Sequence, residues 1–121
     1  MSQLSNQSLG KLGEKIAANY LLKNGYKILE RNFKARYGEI DIVARDRNIL
    51  VFVEVKTRND DQFGTPEEAV TRKKLREVIK TAQFYKLSHT NEPDELRIDV
   101  IAIQLTGSKT TYFKHIQNVT L

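Results

Sequence analysis

The stretch Gly38–Arg58, GEIDIVARDRNILVFVEVKTR, decides how the rest of this 121-residue chain is read. Two apolar runs flank a polar turn, yet Glu39, Asp41, Glu54 and Lys56 interrupt them. With Arg47 and Asn48 at the centre of the turn, Ile40 falls opposite Val55, Ile42 opposite Val53 and Ala44 opposite Val51, a continuous apolar face. The other face pairs Val43 with Phe52, Asp41 with Glu54 and Glu39 with Lys56. Because side chains alternate along a strand, a slip of one residue would set Ile40 against Glu54 and mix both faces, so the pattern selects the first register. A slip of two would keep the faces and change the partners. That Asp41 and Glu54 share a face is therefore better determined than that they are directly opposed.

Directly opposed side chains have Cβ atoms about 5 Å apart, and like charges there destabilise the pair. Flanking Val43 and Phe52 dry the site, which strengthens the repulsion, while Lys56 offsets part of it. The residues thus imply that something cationic belongs between the carboxylates. Hard oxygen ligands suit a divalent ion, Mg²⁺ or Mn²⁺.

Outward from the hairpin, the elements read in the order α-β-β-β-α-β-β. Leu9, Leu12, Ile16 and Tyr20 recur at helical spacing from Ser8, with Ala17 and Leu21 widening the stripe and Gly25 as its stop. Tyr26–Phe33 reads as a strand that turns through Arg36–Gly38 into the hairpin. Thr65-Pro66-Glu67-Glu68 matches a capping box with Pro at the first helical position. The second helix then runs to about Leu87 with a break near Thr71, burying Leu75, Val78, Ile79, Ala82 and Tyr85. LRIDVIAIQL and TYFKHIQNV are two further strands joined by TGSK. A three-strand meander followed by a helical crossover predicts an α/β fold with a mixed sheet flanked by helices.

Composition narrows the function. Lys and Arg outnumber Asp and Glu 20 to 15, giving a net charge of +5 and a pI near 9.5, which leans towards a polyanionic partner. There are no cysteines, which excludes disulfides, thiolate metal sites and thiol catalysis and suits a reducing compartment. No apolar leader opens the chain and no run approaches a membrane span, so the expectation is a cytoplasmic protein without membrane contact. The length predicts a single domain over 1–121, with polar residues 1–7 frayed.

An acid on one strand followed by Glu-x-Lys on the next resembles the PD-(D/E)xK nuclease superfamily. The wording RYGEIDIVARD and LVFVEVKTR, with GTPEEAVTRKK, LRIDVIAI and HIQNV, resembles the UPF0102 (YraN-like) family, which is similar to archaeal Holliday-junction resolvases and restriction endonucleases. The resemblance covers about Leu9 to Val119 and implies a restriction-endonuclease-like fold and Mg²⁺-dependent cleavage of DNA, with branched DNA and homodimerisation as family-level analogies. It further implies that Asp41 and Glu54 hold the metal, that Lys56 orients or deprotonates the attacking water, and that Glu14 on the first helix completes the site. Ile40 stands where the superfamily's name has Pro. Lys74 matches a lysine typical of the family. Lys74 and Arg58 are the leading candidates for phosphate contact, with Lys73 beyond them in a basic stripe shared with Arg76 and Lys80. Arg97 and Asp99 read as a structural pair, with Asp99 also a candidate to support the site, and His89 and His115 as structural or surface residues. The alternative is a nucleic-acid-binding module that keeps the fold without the chemistry.

Overall fold

Ser5 starts the first helix: its hydroxyl accepts a hydrogen bond from the Ser8 amide, capping α1 (Asn6–Lys23). Helix therefore begins inside the stretch expected to fray, and residues 1–3 of that stretch lie outside the described residues. The computed structural model describes residues 4–59 and 64–119. Gly25, at φ 84°, closes α1 by letting the Tyr26 amide return to the Leu21 carbonyl at 3.0 Å, a conformation that costs a residue with a Cβ more than it costs glycine.

The strands are β1 (Lys27–Ala35), β2 (Gly38–Asp46), β3 (Ile49–Asn59), β4 (Glu95–Thr106) and β5 (Lys109–Ile116), with α2 (Arg72–Ser88) between β3 and β4. They form one sheet in the order β1-β2-β3-β4-β5. The first three strands are an antiparallel meander, β3 and β4 are parallel, and β5 returns antiparallel to β4. The parallel pair needs a crossover, and α2 supplies it. This is the α/β arrangement expected from the pattern, and it resembles the restriction-endonuclease-like fold.

The break in the second helical segment falls at Thr71. Pro66–Ala69 forms a separate short 3-10 turn, and Thr71 caps α2 by accepting from the Lys74 amide at 3.1 Å. The capping box expected at Thr65 does not form. The Thr65 side chain makes no bond to a helix amide and its hydroxyl donates to Glu68 Oε1 instead. Four residues of 3-10 helix leave little for such a cap to satisfy, and the cap that matters stands at the next break.

The sheet buries two apolar faces. Ile42, Ala44, Val51, Val53, Ile101 and Ile103 pack with Leu9, Ala17 and Leu21 of α1. Val43, Leu50 and Phe52 pack with Val78, Ala82 and Tyr85 of α2. Helix α1 sits closer to β3 than its apolar stripe suggested, because Gly13 is buried there. A Cβ at Gly13 would stand 1.8 Å from Thr57 Oγ1 and 2.8 Å from Thr57 Cβ. Gly13→Ala is expected to destabilise the protein by about 1–3 kcal/mol, as overpacking does, and so to lower the melting temperature by about 4 °C for each kcal/mol. An unchanged melting temperature would show that α1 can retreat without cost.

Candidate metal centre

The β2–β3 ladder follows the expected register from Asp46↔Ile49 to Ile42↔Val53 and stops there. The three outer pairs proposed from the sequence do not form as ladder pairs. Ile40 joins Val43 and Phe52 on the α2 side, while Val55 packs on the α1 side, so Ile40 does not face Val55. Alternation along β2 is broken at Asp41. In place of a main-chain partner, the Val55 amide donates to Asp41 Oδ2 at 2.8 Å. Across β1, whose ladder pairs Arg31↔Ile42 and Phe33↔Ile40, the residue opposite Asp41 is Asn32, at φ 53°. Asn is one of the few residues that tolerates this left-handed conformation. A polar side chain has thus replaced one rung of the sheet, and this fixes the Asp41 carboxylate between strands.

Asp41 and Glu54 do come together as expected, and the site is dry: they are 9% and 7% exposed. Burial, the Asp41 charge and a hydrogen bond with Asp41 push Glu54 up to about 8, against the nearby charges of Lys74 and Lys56. Burial also raises Asp41, opposed first by its bond to the Val55 amide. Burial and the neighbouring Asp41 charge therefore favour the protonated form of Glu54. Glu54 Oε1 is buried and accepts no hydrogen bond among the described residues. Lys74 reaches in from α2, its Nζ 3.9 Å from Glu54 Oε2; the sequence marked Lys74 for phosphate contact and gave no sign of this pairing.

Glu14 lies on α1 beside a cleft lined also by Asn6, Leu9, Gly10, Val55, Lys56, Thr57 and Arg58. It is close enough to Asp41 to sense its charge: burial, then the Asp41 charge, raises Glu14, while Arg31 and a hydrogen bond with Asn32 oppose the rise. Among the described residues no group of three or more His, Cys, Asp or Glu side chains is placed to hold one ion; Glu14 is an electrostatic neighbour of the pair. Arg58 donates to the Thr65 carbonyl at 3.1 Å, tying the end of β3 to the 3-10 turn. Lys73 is exposed on α2.

Asp99 lies apart from the acidic pair, fully buried and aligned with Val53 of the α1-side core. It accepts from Arg97 Nε at 2.9 Å, from the Asn118 amide at 3.0 Å, and meets His115 Nε2 at 2.7 Å. The Tyr20 hydroxyl is 2.9 Å from His115 Nδ1, and Arg97 donates to Tyr26 at 2.7 Å. The Arg97–Asp99 pair is structural as read from the sequence, but its tie through His115 to α1 was not legible there. Asp99 locks β4, β5 and α1 together, and its contacts do not reach the acidic pair.

The model of "Uncharacterised protein family UPF0102" matches residues 13–103. The chain belongs to the UPF0102 family. A UPF0102 protein of Caldanaerobacter subterraneus subsp. tengcongensis is 47% identical over 120 residues, covering 98% of both chains. A UPF0102 protein of Persephonella marina is 49% identical over 94 residues, 78% of this chain and 81% of its own. One of Syntrophomonas wolfei subsp. wolfei is 48% identical over 113 residues, 93% of this chain and 97% of its own. In this UPF0102 chain the family match spans the acidic pair, Lys56, the 3-10 turn and α2, so the candidate centre lies within the matched region. No helix among the described residues is long and apolar enough to cross a membrane.

Proposed function

We propose that the protein hydrolyses phosphodiester bonds in DNA with a divalent cation held by Asp41 and Glu54. One observation carries the reading: two carboxylates buried together, with Glu54 Oε1 accepting no hydrogen bond and Lys56 one pleat along the strand. Buried charged groups are paired or bind metals. The donor set fits Mg²⁺ or Mn²⁺, since Mg²⁺ is commonly held by only one or two carboxylates with its other positions taken by water and phosphate oxygens. When bound, such an ion acidifies water and stabilises charge on the phosphate. The chain's own residues do the rest. The Val55 amide holds Asp41 in place, and Lys74 braces Glu54. Lys56, two residues beyond Glu54 at the cleft, positions the attacking water or neutralises the charge that builds on the phosphate. Arg58 in the cleft and exposed Lys73 on α2 add positive charge for flanking phosphates.

The test is cleavage of single-stranded, duplex, flap and four-way DNA with Mg²⁺, Mn²⁺ or chelator. Cuts that need the metal support the reading; cuts in chelator oppose it. A binding module without chemistry is the second reading, favoured by the absence of a third acidic ligand among the described residues. DNA bound and left intact with either metal would establish it.

Binding itself should be electrostatic. With a net charge of +5 and candidate contacts to phosphate, affinity is expected to fall with a log–log salt slope of about −0.9 for each phosphate neutralised. Lys73→Glu should weaken all sequences alike and flatten that slope by about one phosphate. Affinity indifferent to salt, or confined to one sequence, would contradict this.

A further inference from the structure

Three of the exposed large apolar side chains gather in one place. Tyr37, Phe84 and Leu87 are 49%, 45% and 78% exposed and, with Lys80 and Gln83, line an open hollow of about 410 Å³. Exposed aromatics grouped in this way mark an interaction surface. Phe84 is stacked at 28° on Phe33, ring centroids 6.4 Å apart, which fixes its orientation while nearly half of it stays open to solvent. The Arg36 guanidinium stands 6.0 Å from the centre of the Tyr37 ring. No acidic side chain lines the hollow among the described residues, and the nearest acid shown is Glu77 of α2, beside Gly38.

The hollow is joined to the acidic pair by two paths. Tyr37 stands in the turn just before β2, four residues from Asp41, about 13 Å of extended chain. Phe84 is ten residues along α2 from Lys74, which touches Glu54, about 15 Å of helix. Between them the outer face of α2 carries exposed Lys73, Arg76 and Lys80 before it becomes apolar at Phe84 and Leu87. Cations lead from the carboxylates to a pair of open aromatic rings.

We propose that this hollow is a stacking platform for unpaired bases, so that the substrate carries single-stranded nucleotides beside the bond that is cut. The inference rests on the nucleic-acid reading above and adds the class of substrate to it. Paired bases inside a duplex keep their faces covered, whereas unpaired ones stack on aromatic rings and Arg planes and run their phosphates along neighbouring cations. Lys80 in the lining and Arg36 beside Tyr37 favour a polyanion over an apolar protein segment. Stacking of a base on an aromatic ring is also indifferent to sequence, in keeping with the electrostatic binding expected for the rest of the surface.

The test is fluorescence anisotropy in chelator, with a labelled oligonucleotide as a single strand and as a blunt duplex of the same sequence. Wild type is compared with Tyr37→Leu/Phe84→Leu, which keeps apolar surface and removes both rings, and with Phe84→Trp, which keeps a ring. The double variant should bind the single strand about tenfold or more weakly and the duplex about as well as wild type, and Phe84→Trp should retain single-strand affinity. Equal losses on both ligands, or none, overturn the platform and leave the nuclease reading standing. If wild type binds neither ligand, both readings fall. Sedimentation that shows a dimer dispersed by Phe84→Asp would assign the hollow to self-association and overturn the platform as well.

Discussion

Glu54→Ala and Lys56→Ala should each lower metal-dependent DNA cleavage by about two orders of magnitude or more, the usual cost of removing a group that stabilises charge in the transition state. The two losses should differ in kind. Glu54 contributes a buried oxygen with no hydrogen-bond donor among the described residues, so its removal should abolish metal binding along with activity. Lys56 is not a ligand, so Lys56→Ala should still bind the cation and fail to cut. Lys74→Ala should lose less than either, about tenfold, because Lys74 meets Glu54 only at 3.9 Å and is itself part-exposed; it orients a ligand and is not one. Wild-type rates in Glu54→Ala would place the chemistry elsewhere.

The second large effect is on stability in chelator. Glu54 is pushed up to about 8 from 4.5, first by burial and then by Asp41. A group with a raised folded-state pKa favours the fold below its unfolded pKa and loses that contribution as pH rises through the folded value. Wild type should therefore weaken between about pH 4.5 and pH 8 and level off above it. Glu54→Gln, which keeps the shape of the protonated acid, should lack this component. At about 1.4 kcal/mol per pH unit, the variant's advantage should grow to the order of 2–4 kcal/mol at alkaline pH, with a melting-temperature gain of about 4 °C for each kcal/mol. Titrating groups away from the pair, among them Asp99 with its pKa lowered against burial by His115 and Arg97, affect both proteins alike and cancel in the difference. A constant gap between wild type and Glu54→Gln across this range would mean that the pair is hydrated and the repulsion absent.

Strict alternation made the hairpin legible: it sets Ile42, Ala44, Val51 and Val53 on one buried face, and the ladder has the register read with Arg47 and Asn48 at the turn. The same rule set Asp41 beside Glu54, while the order of elements gave the meander and the crossover. It failed at Asp41 itself, because a side-chain bond to the Val55 amide replaces a ladder pair there. Periodicity carries no trace of such a substitution, so Ile40 was assigned to the wrong face. Lys74 was visible as a cation near the start of α2, but which strand it meets depends on how α2 crosses the sheet. His115 was beyond reach for a similar reason: its partners Tyr20 and Asp99 are distant in sequence, and only the packing of α1 against β4 and β5 brings them together.

The inference that a cation belongs between the carboxylates carries a pH dependence with it. With Glu54 pushed up to about 8 by burial and Asp41, a metal there would compete with a proton, and its affinity should depend on pH. Calorimetric titration of Mn²⁺ into wild type and Glu54→Gln, at several pH values and in buffers of different ionisation enthalpy, tests this directly. Wild type should bind one ion per chain, with affinity rising towards pH 8 and a proton released below it, and Glu54→Gln should bind none at the same concentrations. Equal binding by both proteins, or no binding by wild type at any of these pH values, would contradict the assignment of Asp41 and Glu54 as a metal centre.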